Sequence, residues 1–310
     1  MQKKSLICRF FVALSLLLLA VPGASRASDR IVYGPRASGP DTTGRVDAIR
    51  EPRTPLGLEH VPSDLAAIST GASNVVLVGQ LGGATVAVDV VGDLAYAGIG
   101  PRLAILDVSN PASPLLLGQT APMPRLLQSV EVHGDYAYVA AGSAGLRVID
   151  VSDPAAPVEV GFADLLDDVW DVAVAGDHAY LANGVGGLRV LSVSDPAHPI
   201  EVGHAGTVVY GWEVSVAETY VYVADTGGLR VFDVSSPEHP AETGFLDILG
   251  GVRGLAIDGA HAYLTTGLGR LQVANLSNPA DPTSAGYCEL GGDLWDVAAE
   301  GAAAYVADYD

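Results

Sequence analysis

All three tryptophans of this 310-residue chain stand at one position of an internal repeat, a coincidence that invites a chemical reading. The repeat aligns on Tyr96, Tyr138, Tyr180, Tyr222, Tyr263 and Tyr305, spaced by 42, 42, 42, 41 and 42 residues. Ten residues before each Tyr come Val86, Gln128, Trp170, Trp212, Arg253 and Trp295, and the next position holds Ala87, Ser129, Asp171, Glu213, Gly254 and Asp296. Indole faces stack on sugars or hold cations, and carboxylates accept hydrogen bonds or bind calcium. Gln128, Trp170, Asp171, Trp212, Glu213, Arg253, Trp295 and Asp296 are therefore the candidate binding residues. The competing reading is that each Trp plugs a gap between repeats.

Other chemistries find little support. No Lys follows Lys4, which excludes Schiff-base and lysine-base catalysis beyond the first residues. Asp164, Asp167, Asp168 and Asp171 cluster before the first Trp without the spacing of a calcium loop. The seven His lack paired ligand spacing, and the glycine turns precede strands where a nucleotide loop needs a helix. The pattern implies no catalytic residue, no metal and no cofactor.

Four strand-length runs make up each unit, clearest in DVAVAGDHAYLANGVGGLRVLSVSDPAHPIEVGH from Asp171 to His204. Strand a is DVAVAG, b is AYLAN, c is LRVLSV and d is PIEVGH. Gly-Asp and Gly-Val-Gly-Gly supply hairpin turns, and Ser-Asp-Pro ends the ladder. The runs are apolar on both faces, as a sheet stacked between sheets requires. Four antiparallel strands in about 42 residues predict an all-β propeller.

The recurring L-R-V-I-D-V-S-D-P, preceded by G-D-x-A-Y-V-A, resembles the LVIVD repeat of bacterial and archaeal surface-associated propellers. The resemblance spans roughly residues 84–310 and implies a repeat architecture without shared catalytic residues. Two units depart from it, with Ala104 and Gln272 where Arg147, Arg189 and Arg230 stand. Five units are complete and a sixth reaches only strand b. Asn74–Gly82 (NVVLVGQLG) reads as a strand d and Asp64–Ser69 (DLAAIS) as a degraded strand c. The expectation is six blades, the last shared between the N- and C-terminal segments so that Val76 joins the sheet of Tyr305. The rival is a longer protein with further blades. The domain boundaries are 1–27 for a leader, 28–63 for a proline-rich linker or tail, and 64–310 for the propeller.

The leader rests on Lys3, Lys4 and Arg9, the apolar run Phe10–Val21 and the small-residue site Ser25-Arg26-Ala27. That run is shorter than the roughly 20 residues a membrane helix needs, and an uncleaved anchor is the alternative. Cleavage removes four basic residues and no acidic one, taking the formal charge from −20 to −24. Such a surface disfavours nucleic acid and anionic lipid, and suits cations or basic partners. Cys288 is left as the only cysteine, so no intramolecular disulfide forms. The composite expectation is an extracytoplasmic, non-catalytic binding module for a protein or glycan, with low-affinity cations possible. The alternatives are an extracellular lyase or hydrolase acting on polysaccharide, and a structural spacer.

The leader makes the first prediction. Mass spectrometry of the exported protein should find a mature N-terminus near Ala27 in the soluble fraction. A peptide containing Met1 or Phe10 in the membrane fraction would favour the anchor.

Overall fold

The computed structural model describes residues 16–20, 76–81, 85–206, 210–300 and 303–308, and among these every regular element is a strand. Five antiparallel four-stranded sheets follow one another along the chain. Blade 1 is β3–β6 (Thr85–Val91, Leu94–Ile99, Arg102–Asp107, Leu115–Gln119). Blade 2 is β7–β10 (Ser129–His133, Tyr136–Ala140, Leu146–Asp150, Val158–Ala163), and blade 3 is β11–β14 (Asp171–Ala175, His178–Ala182, Leu188–Ser192, Ile200–Ala205). Blade 4 is β15–β18 (Gly211–Ala217, Tyr220–Asp225, Gly228–Asp233, Ala241–Asp247). Blade 5 is β19–β22 (Val252–Asp258, His261–Thr266, Arg270–Asn275, Thr283–Glu289). β23 (Leu294–Glu300) and β24 (Ala303–Asp308) form a sixth, two-stranded sheet.

The sheets stack face to face, and the core lies between them. Residues of neighbouring blades share each apolar cluster: Tyr96, Leu103 and Ile105 of blade 1 with Val130, Val139 and Ile149 of blade 2, for example. Ala307 of β24 joins Val88, Ala97 and Leu106 of blade 1, so the last sheet packs on the first. This is the propeller that the repeat predicts.

The motif at the end of strand c has a local cause. The Asp150 carboxylate accepts the Ser152 N–H at 2.9 Å and its hydroxyl at 2.6 Å, and Asp107 and Asp233 accept the N–H two residues on in the same way. Pro then stops the ladder. On the outer edge, one residue before a strand-d glycine is skipped in each of the five pairings, giving a β-bulge at Leu117, Val160, Val202, Thr243 and Ala285. The glycine it positions lies against the Pro-containing turn of the next blade. A Cβ on Gly161 would stand 2.2 Å from the Pro196 carbonyl oxygen, and one on Gly203 would stand 2.2 Å from that of Pro237. Only glycine permits this contact.

The N-terminal pairing differs from expectation. β2 (Val76–Leu81) is a strand as predicted, but it pairs with β1 (Leu16–Ala20) and not with the sheet of Tyr305. Its register is that of a strand d: Leu18 faces Gly79, Leu19 faces Leu77 and Val78 is skipped, as Val190 faces Gly203, Leu191 faces Glu201 and Val202 is skipped in blade 3. Sequence reading had assigned the strand beside it to Asp64–Ser69. That segment, the linker 28–63 and the leader's cleavage site lie outside the described residues.

The outer contact generates a second prediction. Gly161→Ala or Gly203→Ala should destabilise the fold by about 2–3 kcal/mol through overpacking against backbone. Gly206→Ala, with open space around its Cβ, should stay within about 0.5 kcal/mol. Urea unfolding reads both.

Candidate functional site

The innermost strand of each blade has no partner strand on its inner side, so its inward N–H groups need acceptors from elsewhere. The preceding blade supplies them. Asp89 Oδ2 of blade 1 accepts the Val132 N–H of blade 2 at 2.8 Å, and Glu131 Oε2 accepts the Val174 N–H of blade 3 at 3.2 Å. Asp171 Oδ2 takes the Val214 N–H at 2.8 Å, and Glu213 Oε2 takes the Leu255 N–H at 2.8 Å. Each of these four joints carries one such acid. In blades 1 and 2 it stands two positions later than in blades 3 and 4, and small residues (Ala87, Ser129, Ala173, Ser215) fill the other position. Blade 5 has Gly254 instead, where a Cβ would lie 2.6 Å from Asp296 Cα, so the backbones of blades 5 and 6 meet directly. Asp296 Oδ1 accepts its own neighbour's Val297 N–H at 2.7 Å.

The structure buries three of the predicted site carboxylates. Asp171, Glu213 and Asp296 are buried, and Asp171 and Glu213 bridge blades. Burial first, and then the Asp89 charge, push the Glu131 carboxyl up to about 8, against a smaller lowering by the Val174 N–H. Sequence reading missed Asp89 and Glu131 because the acid shifts position between repeats.

The preceding residue behaves differently. Val86, Trp212, Arg253 and Trp295 are each skipped in the pairing of strands a and b. Gln128 and Trp170 repeat the arrangement: Gln128 N–H donates to the Ala140 carbonyl, which already faces Ser129, and Trp170 N–H donates to that of Ala182, which faces Asp171. Two residues opposing one is a β-bulge, which re-aims the side chain. The Trp column is a bulge column, half-buried at Gln128, Trp170, Trp212, Arg253 and Trp295.

Two clusters result. Trp170 meets Trp212 edge to face with centroids 5.3 Å apart, and Tyr210 joins them at 4.6 Å from Trp212 and 5.9 Å from Trp170. The Trp170 indole N–H donates to the Tyr210 hydroxyl. Burial chiefly, helped by the nearby Asp168 and Asp167 charges and opposed by the Trp170 N–H, raises the Tyr210 phenol above its ordinary value. In the second cluster the Arg253 guanidinium lies 4.9 Å over the Trp295 ring and pairs with Asp293, whose other oxygen accepts the Trp295 indole N–H at 3.1 Å. Tyr210 and Asp293 went unnoticed in the sequence, although both occupy the position two before the bulge residue.

The connections around these clusters expose aliphatic tips. Leu166 is 98% exposed and Leu249 77%, both in d-to-a connections, and Val185 and Leu268 are exposed in b-to-c turns on the same face. The opposite face consists of a-to-b and c-to-d turns rich in Asp, Ser and Pro. The Arg column has a structural use: Arg147 and Arg230 pair with Glu159 and Glu242 of strand d and lie over Phe162 and Phe245. Gln272 substitutes with bonds to Ser284 Oγ and the Gly286 carbonyl. Among the described residues no group of three or more acids, His or Cys is placed to hold a metal ion.

The LVIVD repeat model matches residues 82–121, 124–164, 167–207, 210–247 and 249–289. No curated protein matches. Among solved structures, the computationally designed Ika8 protein is 10% identical with a TM-score of 0.61, covering 77% of this chain and 73% of its own. The designed Ika4 protein is 9% identical with a TM-score of 0.41, covering 47% of this chain and 88% of its own. The former likeness is one of fold.

The buried acid makes the third prediction. Glu131 has a folded-state pKa above its unfolded value of 4.5, so ionising it opposes folding. Stability should therefore be unaffected by this group below about pH 4.5, fall as pH rises, and level off above about pH 8. Glu131→Gln keeps an acceptor for Val174 and should flatten that decline, gaining about 1 kcal/mol or more at pH 9. Unchanged pH dependence of denaturant unfolding would refute it.

Proposed function

We propose, on the premise that this chain belongs to the LVIVD-repeat family, that it is an exported, non-catalytic interaction module whose channel-mouth face receives a protein or a glycan. The observation that carries this reading is the asymmetry of the two faces. One gathers the half-buried Trp170–Tyr210–Trp212 cluster, Trp295 and exposed Leu166, Leu249, Val185 and Leu268. The other offers acidic turns. Aromatic and aliphatic side chains left partly in water on one face of a well-packed fold are the composition of a recognition surface.

The bulge column supports the same reading. Its side chains are turned out of the ladder, so they vary among Val, Gln, Trp and Arg without loss of pairing, and a repeat can place recognition chemistry there at little structural cost. A lyase or hydrolase would need an acid poised beside substrate. The acids best placed along the inner strands, Asp171 and Glu213, are buried and accept backbone N–H groups, which favours binding over catalysis.

All three tryptophans share the bulge position, so a glycan and protein panel can be read by intrinsic fluorescence. A saturable change is expected for at least one probe. Trp212→Ala should weaken it about 30-fold, roughly 2 kcal/mol. Losing the edge-to-face contacts should cost the fold about 1 kcal/mol, lowering Tm by roughly 2–4 °C. A large drop in Tm with unchanged residual binding would defeat the reading.

A further inference from the structure

We infer that Asn275, where strand c of blade 5 ends, is the acceptor of an N-linked glycan. This rests on the chain being exported, as proposed above, and is independent of what the mouth binds.

The chain has five Asn, and only the triplet Asn275-Leu276-Ser277 places a hydroxyl residue two positions on with no Pro between. Asn110 and Asn278 precede Pro, and Asn74 and Asn183 have Val two positions on. Asn-x-Ser/Thr, with x other than Pro, is the acceptor triplet of N-glycosylation, and it belongs in a surface turn of an exported protein.

The structure supplies that setting. Asn275 is the last residue of β21 and is half-buried, while Ser277 and Asn278, which follow in the c-to-d turn, are exposed. Asn275 Oδ1 accepts the Ser277 N–H at 2.8 Å, the same bond that Asp107, Asp150 and Asp233 make in blades 1, 2 and 4. Ser192 holds the position in blade 3. An oxygen is all that the turn asks of this side chain, and Asp provides one as well as Asn does. The Ser two positions on recurs in every complete unit, as Ser109, Ser152, Ser194, Ser235 and Ser277. Blade 5 alone combines it with an amide. The nitrogen is therefore extra to the fold, and it can do what a carboxylate cannot: carry a sugar. With Oδ1 held by the turn, Nδ2 is the branch left for the new bond.

The donor is a saccharide carried on a lipid pyrophosphate, which the exporting membrane and its transferase supply. Nδ2 attacks the anomeric carbon and forms the N–C bond, and the anomeric C–O bond breaks. The lipid pyrophosphate leaves with the electron pair, Nδ2 gives up one proton, and nothing is oxidised or reduced. The turn that presents Asn275 is held in place by its neighbour, since a Cβ on Gly244 of blade 4 would stand 2.3 Å from the Pro279 carbonyl oxygen. A saccharide there covers part of the face made of Asp-, Ser- and Pro-rich turns. It leaves the opposite face, with the tryptophans and the exposed leucines, open.

The test is mass spectrometry of the full chain as its own host exports it, reading the N-terminal peptide and the peptide that begins at Leu271 after cleavage at Arg270. The second peptide should carry a saccharide on Asn275. Ser277→Ala should abolish it without moving Tm, because the N–H that Asn275 accepts belongs to the backbone. Ser277→Thr should keep it. Asn275→Asp should also abolish it at unchanged Tm, since Asp fills this position in blades 1, 2 and 4. A bare Asn275 in a chain whose N-terminus lies near Ala27 would overturn the proposal and leave export standing. A saccharide that persists in Ser277→Ala would overturn it too, by placing the linkage elsewhere. A bare Asn275 in a chain that still begins at Met1 would take down both readings.

Discussion

A strand at the centre of a propeller must find hydrogen-bond acceptors for an edge that no other strand covers, and in this chain that need organises the inner ring. The N–H groups of Val132, Val174, Val214 and Leu255 are each met by a carboxylate from the blade before. A carboxyl oxygen gives each of these donors its acceptor, and leaving such a donor buried and unmet would cost about 1–3 kcal/mol. Each acid therefore fixes the position of one blade relative to the next. Burial is the cost: it, and then the charge of nearby Asp89, push the Glu131 carboxyl up to about 8.

The outer rim is held by a different device. Glycine in strand d lets the backbone of the next blade's proline turn approach to a distance that any side chain would prevent. Acids inside and glycines outside thus lock adjacent blades at both radii, with aliphatic clusters filling the space between. What remains unconstrained is the bulge at the start of strand a. There the ladder doubles up, the side chain leaves the sheet, and residue identity is released from packing.

That division explains what could be read from the residues alone. Strand order, blade count for the five complete units, turn positions and the propeller itself were legible because they depend on composition and spacing, which recur every 42 residues or so. The Trp column was legible as an anomaly but not as a bulge, since doubling in the ladder depends on register and leaves no mark in residue type. Asp171, Glu213 and Asp296 looked like mouth residues for the same reason: one step along a strand reverses which side a residue faces, and a bulge moves that step. Asp89 and Glu131 were hidden because the function of capping the next blade migrates two positions between repeats. The pairing of β2 with Leu16–Ala20 could not be anticipated, because apolar character suits a leader and a strand equally well.

Repeat symmetry also gives a reason for where recognition chemistry gathers. Every blade must keep its staple acid or an equivalent close contact, its outer glycine and its turn, so those positions cannot diverge without loosening the ring. The bulge residue and the residue two before it carry no such duty. In blades 5 and 6 they hold Arg253, Asp293 and Trp295, which satisfy one another. In blades 2 to 4 they hold Gln128, Asp168, Trp170, Tyr210 and Trp212, where the rings lean on one another and the Trp170 indole N–H donates to the Tyr210 hydroxyl. A set that closes on itself contributes rigidity and has little left to offer a partner. The aromatic set of blades 3 and 4 stays half-buried, so two copies of one position differ in what they leave at the surface.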